Sequence, residues 1–473
     1  MEMKNRSVYE DNLESSTPFE QPFNTVNSED PEKIPISKNI EHCTPTSQKM
    51  YLWNQVYWVG NSVYLAAFIG GLLGGPLITY VGRKYSLIGV GVPFFISWII
   101  VASVSNLHLL IAGRVLSGIC VGLVYSAFPV YIVETVDPKL RGALGLLPIA
   151  FGNGGTLLTH LAGAYLDVST MAYIAAAVSV PIFLLMFVPP ESPRWYIAKG
   201  RIHDARKALQ WLRGNNYNIE NEMEALTHFQ IEADKTKGVA LKQIFYMENT
   251  PAILISFGLM IFQQLTGPNV VFYYAQRLSM TPITASDIQS LYIRIGIASV
   301  FSIIIAIILV DLIGRKILLY ISSASVILST STLSVLAYIL ESNYNISFGA
   351  LSQLCLVLYI FGTSVGYESI TWLMLAEILP LKIRGTVVPL ITGITWLCTI
   401  YMGTSFSNMI GSDVPYGSLF FFAVTHLIAI FFIIFCVPET RGKSLEEIEI
   451  NLTQRVKSVN NGNGADRNTD ANL

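Results

Sequence analysis

The sequence predicts an all-α, polytopic membrane protein made of two pseudo-symmetric helical bundles. Hydrophobic residues make up 52% of the 473 residues and charged residues only 13%, whereas soluble domains carry roughly a quarter charged residues. Three charged motifs also occur twice in the same order: Gly-Arg-Lys at 82–84 and 314–316, Glu…Arg-Gly at 134–142 and 377–385, and Pro-Glu at 190–191 and 438–439. An ordered repeat between apolar stretches is typical of a duplicated bundle with a site between its halves.

We predict about eleven membrane-spanning helices, because an apolar run of about 20 residues crosses lipid only when its backbone is hydrogen-bonded within its own segment. The intervals lie near 57–81, 86–105, 109–133, 143–166, 171–189, 250–275, 288–310, 317–340, 350–376, 386–408 and 416–437. Residues 1–50 contain no apolar run of that length. Five spans are therefore expected in the first bundle and six in the second.

The spans divide the chain into bundles, a loop and two tails. The predicted parts are a polar N-terminal tail (1–54), a five-helix bundle (55–195), a cytoplasmic loop with surface helices (196–249), a six-helix bundle (250–437) and a cytoplasmic C-terminal tail (438–473). Lys and Arg fall on alternate connections, which the positive-inside rule assigns to the cytoplasm. An odd number of spans then leaves the N-terminal tail outside or forces an unusual orientation on the first span. In the loop, Ala205, Ala208 and Leu209 share one helical face, so a surface helix that braces the bundles is expected.

Other classes of function find little support in the sequence. None of the five cysteines forms a Cys-x-x-Cys pair and the six histidines form no ligand-spaced cluster, which argues against a metal site or a disulfide framework. The net charge of −2 gives no indication of nucleic-acid binding. No nucleophile–base pair or phosphate-binding loop indicates an enzyme or a cofactor. The Gly-Leu-Leu-Gly-Gly stretch at 71–75 is instead expected at a close contact between helices.

Three longer phrases carry a resemblance to a known family. They are Arg-Gly-Ala-Leu-Gly-Leu-Leu-Pro-Ile-Ala-Phe-Gly-Asn at 141–153, Gly-Arg-Lys-Ile-Leu-Leu-Tyr at 314–320 and Glu-Ile-Leu-Pro-Leu-Lys-Ile-Arg-Gly at 377–385. With them the chain resembles the sugar porters of the major facilitator superfamily from about Trp58 through Glu447, particularly the insect facilitated trehalose and hexose transporters. The resemblance implies the major facilitator fold, with two six-helix bundles and a sugar that is moved by alternating access. The first family helix is then missing from this chain.

The stretch from 262 to 269, Phe-Gln-Gln-Leu-Thr-Gly-Pro-Asn, places three amides in an apolar span. Amides donate and accept hydrogen bonds without a charge that must be desolvated, which suits the hydroxyls of a neutral sugar. The resemblance makes Gln263, Gln264 and Asn269 direct sugar contacts. The alternative is that these amides only join helices to one another.

A break in this helix is expected just after the glutamines. Pro268 leaves the carbonyl of Gln264 without its helix partner, and Gly267 loosens the same turn. Broken helices beside a midplane site are typical of alternating-access transporters. Tyr273 and Tyr274, beyond the break, are expected to occlude the bound sugar.

The resemblance assigns further sugar contacts, although one family side chain is lost. Trp372 and Trp396 match family tryptophans, and Ser299 takes the place of an asparagine that some relatives use. The family's glutamine in the span near 143–166 is Ile149 here, whose apolar side chain cannot replace it. Asn153 lies one turn on, on the same helical face, and either substitutes for that glutamine or packs against a helix.

The span near 350–376 departs most from the family. Relatives carry Gly-Pro-x-Pro-Trp, whereas this chain reads Glu-Ser-Ile-Thr-Trp at 368–372, so a stiffer helix is expected. Glu368 places a carboxylate inside a span, which costs about 2.5–3.5 kcal/mol and is by default a sign of function. Two explanations stay open: Glu368 faces the cavity as a protonatable or sugar-binding group, or it is hydrogen-bonded to a neighbouring helix.

The repeated charged residues are expected to form a cytoplasmic gate as well as to set topology. Carboxylate–guanidinium pairs that form when the inner side closes and break when it opens would bias the two states. The candidate gate residues are Arg83, Glu134, Arg141, Glu191, Arg194, Arg315, Glu377, Arg384 and Glu439. Relatives carry an acidic or amide residue at the position of Thr79, so the first cluster is expected to be the weaker one.

Three functions remain open from the sequence. The first is a plasma-membrane sugar transporter that carries trehalose or a hexose by facilitated diffusion (uniport) and works as a monomer in the lipid bilayer. The second is a proton-coupled sugar symporter that uses Glu368, and the third is a truncated, non-transporting isoform or sugar receptor. Uniport is favoured over symport, because the acidic group that proton-coupled relatives carry in the first family span has no place here.

Overall fold

The computed structural model is helical throughout the residues that it describes, apart from turns and short connections. These residues are 45–104, 106–235, 249–267, 275, 285–342, 349–411, 416–452 and 454. Side chains are described over the same ranges except 45–57, 232–235, 285–286, 341–342 and 406–411. Within this part of the chain, nine helices are long and apolar enough to cross a membrane.

The first bundle consists of five helices. They are α1 (Pro45–Tyr80), α2 (Arg83–Ser103), α3 (Leu107–Thr135), α4 (Arg141–Ala162) and α5 (Val168–Leu185). α3 packs against α1 and α2, and α2 packs against α5. Polar side chains fix two helix starts: Asn106 accepts a hydrogen bond from the N–H of His108, and Asp167 accepts one from the N–H of Thr170. Such caps satisfy amide groups that a helix leaves unpaired.

Three short helices connect the bundles. They are α6 (Pro193–Ala198), α7 (Ile202–Arg213) and α8 (Glu220–Lys235). The predicted surface helix is confirmed as α7, and its Ala205 and Leu209 are buried in a small core with Met223 of α8. Arg213 donates to the Thr135 carbonyl at the end of α3 (3.1 Å) and pairs with Glu222 (2.7 Å), which fastens the connection to the first bundle.

The second bundle contains one more span than the first in the described part of the chain. Its helices are α9 (Thr250–Thr266), α10 (Ala285–Ile313), α11 (Arg315–Ser342), α12 (Gly349–Val365), α13 (Tyr367–Ile378), α14 (Leu381–Gly411) and α15 (Tyr416–Phe435), and a short helix, α16, follows at 445–452. α9 packs against α13, α14 and α15. The described residues of the first bundle include no counterpart of α9.

The two bundles meet along two helix pairs, α1 with α14 and α4 with α10. Small residues allow this approach: a Cβ on Gly71 would lie 3.0 Å from the backbone nitrogen of Gly393, and one on Gly75 would lie 3.4 Å from the Gly385 carbonyl. The expectation that 71–75 lies at a close helix contact is therefore confirmed. Backbone approach of this kind is how helices associate without a hydrophobic driving force in lipid.

The predicted spans agree closely with the helices. Nine of the intervals coincide with the apolar helices, the interval near 143–166 is α4, and that near 250–275 is helical to Thr266 before the chain leaves the described residues.

Two helices differ in extent from the predicted spans. α1 begins at Pro45, although its part suited to a membrane is Trp58–Tyr80, because a helix that has formed adds a backbone hydrogen bond with each further residue even where the sequence is polar. The first residues of α1 therefore fall within the interval 1–54 that was predicted as a tail. The span near 350–376 is interrupted at Gly366, which separates α12 from α13, although both family prolines are absent.

Candidate functional site

Two adjacent glutamines at the end of α9 are buried and joined to the neighbouring helix. The Gln264 side-chain amide donates to the Gln263 oxygen (2.7 Å), and the Thr399 hydroxyl of α14 donates to the Gln264 oxygen (2.9 Å). Both glutamines are less than one-tenth exposed. Thr399 thus fixes the orientation of the amide pair, which sequence reasoning did not anticipate.

α9 ends directly after this pair, as the sequence predicted. Gly267 adopts the left-handed conformation (φ 66°) and its N–H bonds to the Gln264 carbonyl at 3.0 Å, which closes the helix. The Tyr359 hydroxyl donates to the Thr266 carbonyl. His426 lies with Nδ1 2.7 Å from the Phe422 carbonyl and Nε2 3.1 Å from the Thr266 hydroxyl. α12 and α15 therefore both hold the last residue of α9.

Aromatic rings from both bundles pack against one another between the bundles. Tyr125 of α3 packs against Trp372 of α13 (4.8 Å between ring centroids) and Trp396 of α14 (5.3 Å), and Tyr64 of α1 stacks on Trp396 at 5.9 Å. The buried indole N–H of Trp396 has no hydrogen-bond partner in the described part of the chain. Tyr125 is 37% exposed although it packs against residues of the other bundle.

Asn153 and Ser299 meet where α4 crosses α10. The Asn153 amide lies 3.5 Å from the Ser299 carbonyl and also donates a hydrogen bond to Glu368 of α13. Ile149 packs against the hydrophobic core instead. The residue that the sequence suggested as a substitute for the family's glutamine thus lies between the bundles, close to the aromatic group.

Some of the predicted site lies outside the described residues. These positions are Pro268, Asn269, Tyr273 and Tyr274. The described site therefore comprises Gln263, Gln264, Asn153, Ser299, Trp372 and Trp396.

The first charged cluster lies inside the first bundle. Arg83 binds the buried carboxylate of Glu134 through Nη2 (3.1 Å) and Nε (3.1 Å), and the Ser192 hydroxyl donates to the same carboxylate at 2.6 Å. Glu191 accepts the backbone N–H groups of Arg83 (3.1 Å) and Lys84 (2.9 Å). Glu191 thereby stabilises the start of α2, where N–H groups lack helix partners; burial raises the pKa of Glu191.

The second cluster repeats the first contact for contact. Arg315 binds Glu377 at 3.2 Å, and the Thr440 hydroxyl donates to Glu377 at 2.7 Å. Glu439 accepts the N–H groups of Arg315 (3.1 Å) and Lys316 (3.0 Å). The glycine before each arginine has a positive φ, 114° at Gly82 and 99° at Gly314, and a side chain there would collide with the carboxylate that caps the helix. Glycine is therefore required at both turns.

The two most buried ion pairs, Arg83–Glu134 and Arg315–Glu377, each lie within one bundle, so separation of the bundles does not by itself break them. Contacts between the bundles involve other groups. Asp311 of α10 accepts the N–H of Ala143 in α4 (2.9 Å), and Arg194 pairs with Glu446 of α16 (2.5 Å). Arg141 reaches the Lys443 carbonyl at 3.4 Å.

Arg141 and Arg384 also act electrostatically across the two bundles. Arg384 donates to the Leu379 carbonyl at 2.8 Å and interacts with Glu134 of the first bundle, and Arg141 interacts with Glu377 of the second. Each bundle thus extends one arginine toward the carboxylate of the other.

Sequence reasoning missed Asp311 and Glu446. Asp311 precedes Arg315 by four residues, as Thr79 precedes Arg83, so comparison of the two repeats was a signal that pointed to it. Thr79 donates instead to the Gly75 carbonyl within its own helix (2.8 Å). Burial acts to raise the pKa of Glu446, but attraction to Arg194 and hydrogen bonds lower it overall. No group of His, Cys, Asp and Glu suited to a metal ion occurs among the described residues.

Two helical bundles related by a repeated charged turn, with amides and aromatic rings between them, define a transporter of the major facilitator class. Residues 27–452 match the family model described as sugar (and other) transporter. The chain therefore belongs to this family of sugar transporters, which is not a family of enzymes.

Individual relatives and one solved structure agree with this assignment. The facilitated trehalose transporter Tret1 of Bombyx mori is 44% identical over 503 aligned positions, which cover 98% of each chain. Tret1 of Drosophila grimshawi is 42% identical over 405 residues, 85% of this chain and 44% of that longer protein. The proton:xylose symporter XylE bound to 6-bromo-6-deoxy-D-glucose superimposes with a TM-score of 0.76 at 25% identity, covering 87% of this chain and 91% of XylE.

Proposed function

We propose that the protein carries trehalose or a hexose across the plasma membrane by facilitated diffusion. The observation that carries the proposal is the Gln263–Gln264 pair, held by Thr399 beside Trp372 and Trp396. Neutral amides and aromatic faces bind the hydroxyls and the apolar faces of a neutral sugar. The Tret1 relatives are described as facilitated trehalose transporters.

Transport proceeds by alternating access of this site to the two sides of the membrane. The cross-bundle contacts of Asp311 and Arg194 close the side where the basic connections lie, which is the cytoplasmic side by charge. Rocking of one bundle against the other breaks these contacts while each internal cluster keeps its bundle rigid. The C-terminus is then cytoplasmic, and one chain contains the whole path.

Uptake of radiolabelled trehalose and glucose into cells that express the chain tests this function. We expect saturable uptake that does not depend on a pH gradient. Gln263→Ala is expected to abolish uptake at unchanged surface abundance, while Gln230→Ala in the connecting helix α8 is the matched amide control. Absence of uptake by surface-delivered wild-type protein would contradict transport and favour a sugar receptor.

A proton-coupled symporter is the second candidate, and Glu368 is the observation that favours it. This carboxylate lies within the membrane-spanning part and accepts a hydrogen bond from Ser364 at 2.5 Å. Intramembrane carboxylates often serve proton relays. Sugar-dependent acidification of the cell interior, lost in Glu368→Gln, would establish symport and exclude uniport.

A further inference from the structure

Glu368 occupies a position that sets this chain apart from the sequence pattern of its family. It opens α13 directly after the break at Gly366, one turn before Trp372. Glu368 is half-buried, whereas all eight residues from Ser369 to Ala376 are buried. Part of the Glu368 side chain therefore stays accessible where the residues that follow it on α13 are not.

The neighbours of Glu368 belong to the candidate site. Asn153 of the first bundle donates to it, and its charge acts on Tyr125, the ring that lies between Trp372 and Trp396. The carboxylate is therefore placed between the two bundles beside both tryptophans. A hydrogen bond to a neighbouring helix accounts for the contact between Asn153 and Glu368. It does not account for the part of the Glu368 side chain that remains exposed.

Two donors hold the carboxylate in place. The Ser364 hydroxyl donates to one oxygen at 2.5 Å and Asn153 supplies an amide N–H. Glu368 takes part in none of the ion pairs between described side chains. An ionised carboxylate has about four acceptor sites, so acceptor capacity is left for a ligand.

We propose that Glu368 is a specificity-determining sugar ligand, whose carboxylate accepts hydrogen bonds from the bound substrate and favours sugars that carry a protonated amine. Charge-assisted hydrogen bonds are shorter and stronger than neutral ones, particularly where water is excluded. An amino sugar supplies a counter-charge that no described side chain provides in an ion pair with Glu368, and a neutral sugar supplies hydroxyl donors to the same oxygens. The role rests on the proposed function, because it requires that a sugar occupies this site.

Competition by amino sugars tests the proposal in intact cells. The inhibition of labelled glucose uptake by glucosamine, and by positional isomers with the amine elsewhere on the ring, is compared with inhibition by unlabelled glucose, at a fixed pH where the amine is protonated. We expect wild-type protein to prefer at least one amino sugar over glucose, and Glu368→Gln to reduce that preference by about tenfold or more. The matched acid-to-amide control is Asp204→Asn on the surface of α7, with an unchanged preference.

A second variant keeps the proposal testable if the Glu368→Gln protein fails to fold. Ser364→Ala removes one hydrogen bond that positions the carboxylate and should reduce the preference in the same direction by a smaller factor. Saturable glucose uptake without any amino-sugar preference in wild type, or with a preference that neither variant changes, overturns the proposal while leaving sugar transport intact. No uptake of any sugar by wild type overturns the proposed function itself.

Discussion

At the scale of single residues, Asp311 and Thr79 show how one side chain separates two otherwise matching repeats. Each lies four residues before the arginine of its cluster. Asp311 binds Arg315 at 2.9 Å and accepts the Ala143 N–H from the other bundle, whereas Thr79 bonds only within its helix in the contacts described above. A carboxylate at the start of α4 also stabilises the positive end of the helix dipole. The second repeat therefore closes one side of the interface more tightly than the first.

Asp311→Asn is expected to weaken this closure by about 0.5–2 kcal/mol, because it removes the charge that holds the start of α4. A cysteine in place of Leu373, which packs against Gly145 across the bundles, should then react faster with a membrane-permeant thiol reagent. The same Leu373→Cys protein with native Asp311 is the reference. An equal reaction rate in both proteins would show that Asp311 does not hold the interface closed.

At the scale of elements, the end of α9 is determined by its neighbours as much as by its own sequence. Gly267 ends the helix, but Tyr359 of α12 and His426 of α15 hold Thr266. The His426 ring lies with Nδ1 toward the Phe422 carbonyl and Nε2 toward the Thr266 hydroxyl, which itself donates to the Phe262 carbonyl at 2.9 Å. This arrangement fixes the direction of the glutamines one turn earlier.

Tyr359→Phe is expected to leave the Thr266 carbonyl without its donor, at a cost of about 1–3 kcal/mol. The glutamine pair should lose its orientation, so KM for the sugar should rise several-fold at unchanged surface abundance. Tyr338→Phe is a matched control, because Tyr338 is 58% exposed on α11. An unchanged KM for Tyr359→Phe would show that the contact at the end of α9 does not affect sugar binding.

At the scale of the whole molecule, each bundle keeps a buried ion pair to itself, while helix packing and a few polar contacts join the two bundles. Arg83–Glu134 and Arg315–Glu377 remain within their bundles. Arg194–Glu446 links the connection after the first bundle to α16 after the second, with side-chain exposures of 10% and 22%. Under the proposed alternating access, such a partly shielded pair would tether the two bundles on this side.

Glu446→Gln is expected to shift the protein toward the state open on this side, by about 0.5–2 kcal/mol. The shift, read as thiol reactivity at Leu373→Cys, should vanish when Arg194→Gln is already present, since the pair is then broken. Because the pKa of Glu446 is lowered in the folded protein, its contribution is complete above the ordinary carboxyl pKa and is lost only as pH falls through the lowered value. Mild acidification on the side of this pair should therefore leave the tether intact, and a release under those conditions would contradict this assignment.

Much of the architecture could be predicted from the sequence, because span length and apolarity are local properties. The helices, the family and the residues of both charged clusters followed from runs of side chains and from their repetition. The extension of α1 to Pro45 and the break at Gly366 could not be predicted in this way. The extension of α1 depends on helix propagation into polar sequence. The break at Gly366 occurs where the Ser322 hydroxyl of α11 accepts the Tyr367 N–H at 3.3 Å.

The sequence by itself determined the architecture and the resemblance to a family: two related bundles, with amides at the end of one helix and carboxylates at repeated turns. The tertiary structure decided which groups work together, since Gln264 meets Thr399, Asp311 meets Ala143 and Glu368 meets Asn153 only when distant helices pack. Sequence motifs indicate the side chains that each segment needs to cap its own helix ends and to lie in lipid. Contacts between bundles depend on how all the helices pack at once, which no local pattern specifies.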